Sequence, residues 1–199
     1  MFTGIVEERG EVLEHREGAG AWRLTVRAPL AAPGTRPGDS VAVNGCCLTA
    51  AEATGEELAF DLLEETRRLT NLKAAAPGRL VNLERSLAAD GRFGGHFVTG
   101  HIDGEGRTLS LVREGKDTRL EIEAPEAFAR YLVYKGCLAV DGVSLTVAEA
   151  SGRRLAIWLI PKTLETTTLG ALAPGDAVNL EFDLLAKYVE RLLEGRVPA

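Results

Sequence analysis

Apolar residues in this chain recur in short runs that alternate with polar ones and are cut by Gly, Pro and Asn. Alternation of that kind marks half-buried strands rather than helices. The pattern predicts strands at 4–7, 21–28, 40–43, 48–52, 58–62 and 80–84, and again at 100–103, 119–123, 139–140, 145–149, 155–159 and 177–181. Six short strands per half, with turn signals between them, predict an all-β protein with a small closed barrel in each half. Asn44-Gly45 and Asp141-Gly142 are tight-turn dipeptides, because both central residues of a type I′ turn need positive φ.

Helical spacing is rare. It predicts a helix over 125–134, which opens on Pro125 and carries Phe128, Tyr131 and Leu132. Short helical segments fall at 63–69 and 161–168. The final helix has an apolar stripe of Leu185, Tyr188, Val189, Leu192 and Leu193, with Asp183 placed to cap it. No such helix ends the first half. It can bury its stripe on its own barrel or, the reading preferred here, against copies of itself.

The two halves are copies. The thirteen residues from Val41 to Ala53 return from Leu138 to Ala150 with eight identities. Thr66, Thr70 and Leu72 recur as Thr163, Thr167 and Leu169, and the 77–84 segment recurs at 174–181. A repeat this long is a duplicated domain. It divides the chain into a barrel at 1–88, a second at 96–183, and a helix and tail at 184–199. Two like domains can present two like pockets.

Composition narrows the class. With 23 basic and 29 acidic residues the net charge is −6, which argues against nucleic acid or an anionic membrane as partner. There is no signal-like leader and no apolar span of membrane length. Three cysteines, two adjacent, make a poor disulfide framework, so a reducing cytoplasmic setting is expected. The spacing of His15, His96 and His101 offers no metal motif.

Differences between the copies carry the candidate chemistry. His101 replaces Ile5, Ser144 replaces Cys47, and Cys137 replaces Ser40. An imidazole suits acid–base work at neutral pH, although a lone histidine is as readily a core or surface residue. Ser144 and Thr146 share one strand face, as do Cys47 and Thr49. Cys47 is a candidate nucleophile, with an inert buried thiol as the alternative. Lys135 has the plain reading of a solvated lysine at a helix C-terminus.

Met1-Phe-Thr-Gly-Ile-Val6, Asn44-Gly-Cys-Cys-Leu-Thr49, Gly94-Gly-His-Phe-Val-Thr-Gly-His101, Tyr134-Lys-Gly136, Asp141-Gly-Val-Ser-Leu-Thr146, Ile160-Pro-Lys-Thr-Leu164 and Thr166-Thr-Thr-Leu-Gly170 together resemble the riboflavin synthase family along the whole chain. That resemblance implies two tandem six-stranded Greek-key barrels and a homotrimer joined through the C-terminal helices. It implies a transferase that dismutates two molecules of 6,7-dimethyl-8-ribityllumazine, with no cofactor and no metal. It implies sites between the N-terminal barrel of one subunit and the C-terminal barrel of another, and an association with lumazine synthase. By resemblance His101 and Thr146, with Ser144 beside them, serve proton chemistry. Ser40 and Cys47 belong to the N-terminal pocket, and Lys135 and Asp183 reach the site edge. The rings are framed by Gly4, Ile5 and Val6, by Leu48 and Thr49, and by Asp61, Leu62, Leu63, Glu64, Glu65 and Thr66. Gly100, Ile102, Leu145, Trp158, Leu159, Ile160, Pro161, Lys162 and Thr163 complete the frame. The lumazine-binding fluorescent proteins, which bind without chemistry, are the rival reading. A flavin reductase is disfavoured, because no dinucleotide-binding glycine motif is present.

Overall fold

The computed structural model describes residues 1–18 and 20–194, so Ala19 and the 195–199 end of the expected tail lie outside the described residues. In the first half, β1 (Glu8–Glu17), β2 (Trp22–Arg27), β3 (Ser40–Val43), β4 (Cys46–Thr54), β5 (Glu57–Leu62) and β6 (Leu80–Arg85) close an antiparallel barrel in the order β1-β2-β5-β4-β3-β6. Helix α1 (Glu64–Leu69) and a 3₁₀ turn (Asn71–Ala74) bridge β5 to β6. Inward residues such as Val12, Leu24, Val26, Val41, Leu58, Phe60 and Leu83 are fully buried, each contributing roughly 1.5–3 kcal/mol by leaving water.

The second half repeats this plan with one strand interrupted. It comprises β7 (Gly104–Glu114), β8 (Asp117–Glu123), β9 (Cys137–Val140), β10 (Val143–Thr146), β11 (Glu149–Ser151), β12 (Arg154–Leu159) and β13 (Ala177–Phe182). Helix α2 (Pro161–Thr166) follows β12 and α3 (Leu184–Leu193) follows β13. The order is β10-β9-β13-β7-β8-β12-β11, and β10 and β11 together hold the place of β4. The register of β4 against β5 shifts between Ala50 and Glu52, and the twin strand breaks at the matching Val147 and Ala148. In the first half the bend lets the ladder close; in the second the break leaves β10 and β11 at the two edges of a seven-stranded sheet, so the closed ladder expected there is open at that point.

The first strand of each barrel starts later than the hydrophobic pattern predicts. Residues 4–7 and 100–103 are not strand; β1 and β7 begin at Glu8 and Gly104. Their inward positions carry glycine instead of an apolar side chain. A Cβ on Gly10 would lie 2.5 Å from Leu83 Cδ1, and one on Gly106 2.7 Å from Leu180 Cδ1. The expected 125–134 helix is a shorter 3₁₀ segment (Glu126–Tyr131), pinned by Phe128 and Tyr131 against Phe182 at ring distances of 5.7 and 5.9 Å.

The barrels meet through their twin turns. Gly45 and Gly142 face each other so closely that a Cβ on Gly45 would sit 2.6 Å from Gly142 N. Around them, Asn179 Nδ2 donates to Asn44 O and Asn82 Nδ2 to Asp141 O, both at 2.9 Å. Asn71 N donates to Asn179 Oδ1 at 2.7 Å and Thr168 N to Asn82 Oδ1 at 2.8 Å. A small apolar cluster of Phe2, Ala42, Val98 and Ala139 fills the rest of the seam, with Cys47 packed on it.

Helix α3 is capped by Asp183, whose Oδ1 accepts from Leu185 N at 2.9 Å. It is tied to its own barrel by polar contacts, Lys187 to Asp103 at 2.7 Å and Glu190 to Arg130 at 2.5 Å. Its apolar stripe faces outward, with Leu185 56% and Leu192 70% exposed.

Candidate functional site

Two carboxylates arrange the site. Glu84 accepts from Thr3 N at 2.7 Å and Gly4 N at 3.0 Å. Its twin Glu181 accepts from Thr99 N at 2.7 Å and Gly100 N at 2.9 Å. Each holds the segment preceding its barrel's first strand in a turn that reaches across the seam. Gly4 O accepts from Ser144 N at 2.8 Å, and Gly100 O from Cys47 N at 2.9 Å. Both glycines have positive φ and touch the partner strand, a Cβ on Gly100 falling 2.4 Å from Cys47 Cβ. No side chain fits there. Burial raises the Glu84 carboxyl above its ordinary range, against four hydrogen bonds that lower it.

The consequence is an exchange of segments. Val6, from the first half, packs on the second barrel's core, and Ile102, from the second half, packs on the first. One cluster therefore joins Cys47 and Thr49 of β4 to Gly100, His101 and Ile102. The other joins Ser144 and Thr146 of β10 to Gly4, Ile5 and Val6. Ser40 stands opposite Thr49 in the β3–β4 ladder and lines a cleft of about 420 Å³ with Thr3 and Ile5.

This grouping differs from the sequence reading. His101, exposed on its segment, belongs beside Cys47 and not beside Ser144 and Thr146. The histidine that touches Ser144 is His96, with Nδ1 2.7 Å from Oγ. Sequence reasoning missed it because His96 has no partner at hydrogen-bonding sequence distance; its link to Ser144 spans 48 residues.

The remaining candidates divide by exposure. Leu48, Leu62 and Leu159 point into the barrel cores, so only their backbone can frame a ligand. Leu145 is half-buried against the second core. Leu63, Ile160, Ile5 and Trp158 are 68%, 56%, 50% and 41% exposed, a set of apolar groups left open to solvent. Asp61 is held by Arg23 at 3.0 Å, and Glu64 by Arg67 at 2.9 Å. Glu65, Pro161 and Lys162 are exposed on α1 and α2, with Thr66 and Thr163 half-buried. Lys135 adopts φ +64°, where its twin is Gly38 at φ +96°. A side chain kept in that conformation stores strain of about 1 kcal/mol or more. Asp183 contributes its cap to α3, and its charge, after burial, raises the Cys137 thiol. Cys46, unlike Cys47, is a core thiol pushed up to about 12 by burial.

Comparison with known proteins decides the family. The lumazine binding domain matches twice, at residues 3–86 and 99–183. Riboflavin synthase of Mycobacterium tuberculosis is 45% identical, the match covering 97% of this chain and 98% of that one. The chain belongs to the riboflavin synthase family. The riboflavin synthases of Bacillus subtilis and Escherichia coli are 38% and 37% identical, covering 97% and 98% of this chain and 90% and 95% of their own. Among solved structures, LumP complexed with riboflavin superposes with a TM-score of 0.85 at 26% identity, over 92% of this chain and 99% of that one. LumP has also been solved with 6,7-dimethyl-8-(1'-D-ribityl) lumazine, at a TM-score of 0.82. Among the described residues no helix is long and apolar enough to cross a membrane.

Proposed function

We propose that this enzyme transfers a four-carbon unit between two molecules of 6,7-dimethyl-8-ribityllumazine. The products are riboflavin and 5-amino-6-ribitylamino-pyrimidinedione. The atoms of two lumazines equal those of the two products, so the exchange balances without an external oxidant or reductant. The observation that carries the reading is the pair of twin residue clusters, each completed by a segment from the other barrel. A reaction between two identical molecules needs two like sites that face one another.

On this reading the 1–88 and 96–183 units act as lumazine-binding barrels, and the 184–199 segment joins three subunits in the cytoplasm. The outward stripe of α3 supports that assembly. One subunit's N-terminal pocket would face another's C-terminal pocket, so that each rim covers the other. The C7 methyl of a lumazine is acidic because its carbanion delocalises into the ring. His101, Cys47, Thr49 and Ser40 would serve one ring. Ser144, Thr146 and Lys135 would serve the other, with Asp183 near the edge. Holding two rings in fixed register would supply much of the rate through orientation.

Incubating the purified chain with the lumazine alone should yield riboflavin, read by its absorbance, at one per two substrates. Binding without turnover would favour the non-catalytic reading. His101→Ala and Thr146→Ala, each slow alone, should then be unfolded and refolded together in equal amounts. If sites span subunits, about a quarter of interfaces join two intact pockets, and activity returns toward a quarter of the parent's. A site within one chain gives no recovery at any ratio.

A further inference from the structure

Ser144 has a proton to place, and His96 decides where it goes. Gly95 lies so close to the second barrel that a Cβ there would sit 1.9 Å from Thr3 O and 2.9 Å from Ser144 Cβ. That approach, with His96 N donating to Thr3 O at 3.1 Å, sets the ring of His96 on the Ser144 hydroxyl at 2.7 Å. His96 is 6% exposed, and its Nε2 is buried with no hydrogen-bond partner.

The orphaned Nε2 selects the tautomer. A buried N–H without an acceptor is rarer and costlier than a buried lone pair without a donor. The proton therefore sits on Nδ1, and Nε2 is left bare. Burial also lowers the affinity of this imidazole for a second proton, opposed by the more weakly acting charge of Asp183. A neutral ring protonated at Nδ1 donates to Ser144 Oγ. The hydroxyl hydrogen of Ser144 is then free, and no acceptor within the described protein takes it.

We propose that His96 is a positioning residue: by donating from Nδ1 to Ser144 Oγ, it turns the seryl proton outward to a ring acceptor of the lumazine in the C-terminal pocket. This rests on the lumazine reading given above. The first barrel lacks the device, since Cys47, the twin of Ser144, packs on the seam cluster instead. The two pockets thus differ in polarity. One presents a fixed hydroxyl donor, and the other a thiol beside the exposed His101.

The test is a double-mutant cycle in kcat/KM over the parent, His96→Leu, Ser144→Ala and the pair. Each single change should lose roughly five- to tenfold, the worth of one hydrogen bond, and the pair should lose no more than either alone. His96→Asn, whose side-chain amide nitrogen can take the place of Nδ1, should stay within about twofold of the parent, as expected where one donated bond is the whole role. A packing role for His96 instead makes the two losses multiply, or leaves His96→Asn as slow as His96→Leu. Either result overturns the proposal. If His96→Leu does not fold, His96→Ala, which likewise has no donor, takes its place in the cycle. If the parent binds lumazine but turns none over, the functional reading fails. The same cycle in the lumazine dissociation constant, read by ligand fluorescence, then still decides whether His96 and Ser144 act as one unit.

Discussion

Asp141→Asn should make the protein more stable, and only above mild acidity. Asp141 is 3% exposed at the seam, where its Oδ1 accepts from Asn179 N at 2.7 Å and Asn71 Nδ2 at 2.8 Å. Burial, the largest influence, pushes its carboxyl from an ordinary 3.8 up to about 7. The folded pKa thus exceeds the unfolded one. Between the two values the folded chain keeps a proton that the unfolded chain has lost, so stability falls as pH rises through this window and stays low above it. Moving a carboxyl from 3.8 to 7 corresponds to about 4 kcal/mol; allowing for relaxation around a buried charge, about 2 kcal/mol is a sound lower figure. The twin position shows that an amide fits. Asn44 accepts from Asn82 N at 2.8 Å and donates to Asn71 Oδ1 at 3.2 Å. In the second half Thr168 stands where Asn71 does, and its Oγ1 is buried without a partner, so a turn of that side chain toward position 141 would give the new amide N–H an acceptor. Urea midpoints of parent and variant, followed by circular dichroism at equal protein concentration, would be compared at pH 4.5 and pH 8. The variant should lead by about 2–4 kcal/mol at pH 8 and by much less at pH 4.5. Other titrating groups cancel in the difference. A lead that does not widen with pH refutes the reasoning.

Glu181→Gln removes the charge that accepts from Thr99 and Gly100 and turns an amide N–H toward a backbone N–H. At about 1.5–3 kcal/mol for a charge-assisted bond, the His101 segment should undock and kcat/KM fall at least about tenfold; unchanged turnover would show that the crossed segment is not held this way. Lys135→Gly should raise the melting temperature by relieving a positive φ, a gain of about 1 kcal/mol, while slowing turnover; a variant that is both more stable and fully active removes Lys135 from the site. If α3 joins the subunits as proposed, Leu192→Asp should leave monomers with intact β-structure, as read by sedimentation, because it places a charge in the middle of the outward stripe; an unchanged sedimentation coefficient speaks against joining through α3.

Much of the fold was legible because the duplication repeats its own punctuation. Ser40–Val43 and its twin Cys137–Val140 are framed by the same Gly and Asn/Asp turns, and their alternation survives in both copies. What escaped the pattern was built from glycine and buried charge. β1 and β7 carry Gly10 and Gly106 where an apolar residue would signal an inward face. Glu8, buried, spends its carboxylate on Leu30 N and Ala31 N, at 3.0 and 2.5 Å. The site was legible as a set of residues but not as a grouping. Which pocket owns His101 depends on Glu181 capturing Gly100 from 81 residues away, and local spacing carries no trace of so distant a bond. Strand periodicity likewise reported that Ser144 and Thr146 share a face, yet not that His96 would come to lie upon it.

The duplication explains why these pockets can differ without disturbing the fold. The carboxylate and backbone bonds at the crossing glycines are paired with twins: Glu84 with Glu181, Gly4 with Gly100, Ser144 N with Cys47 N. Both members run through backbone atoms or carboxylates, so none constrains the outward side chain at the next position. Ile5 and His101, both exposed, occupy that free position. A change at either leaves the twin scaffold satisfied. The reverse holds at the seam, where Gly45 and Gly142 touch and the Asn side chains bond across the interface. There a change in one copy is felt by both, which is why the single asymmetry at that turn, Asn44 against Asp141, comes with the unpaired Thr168 hydroxyl. Two copies of one barrel thus keep their contact surface nearly symmetric and their pocket walls free to diverge, which suits a reaction that must treat two identical molecules as unlike partners.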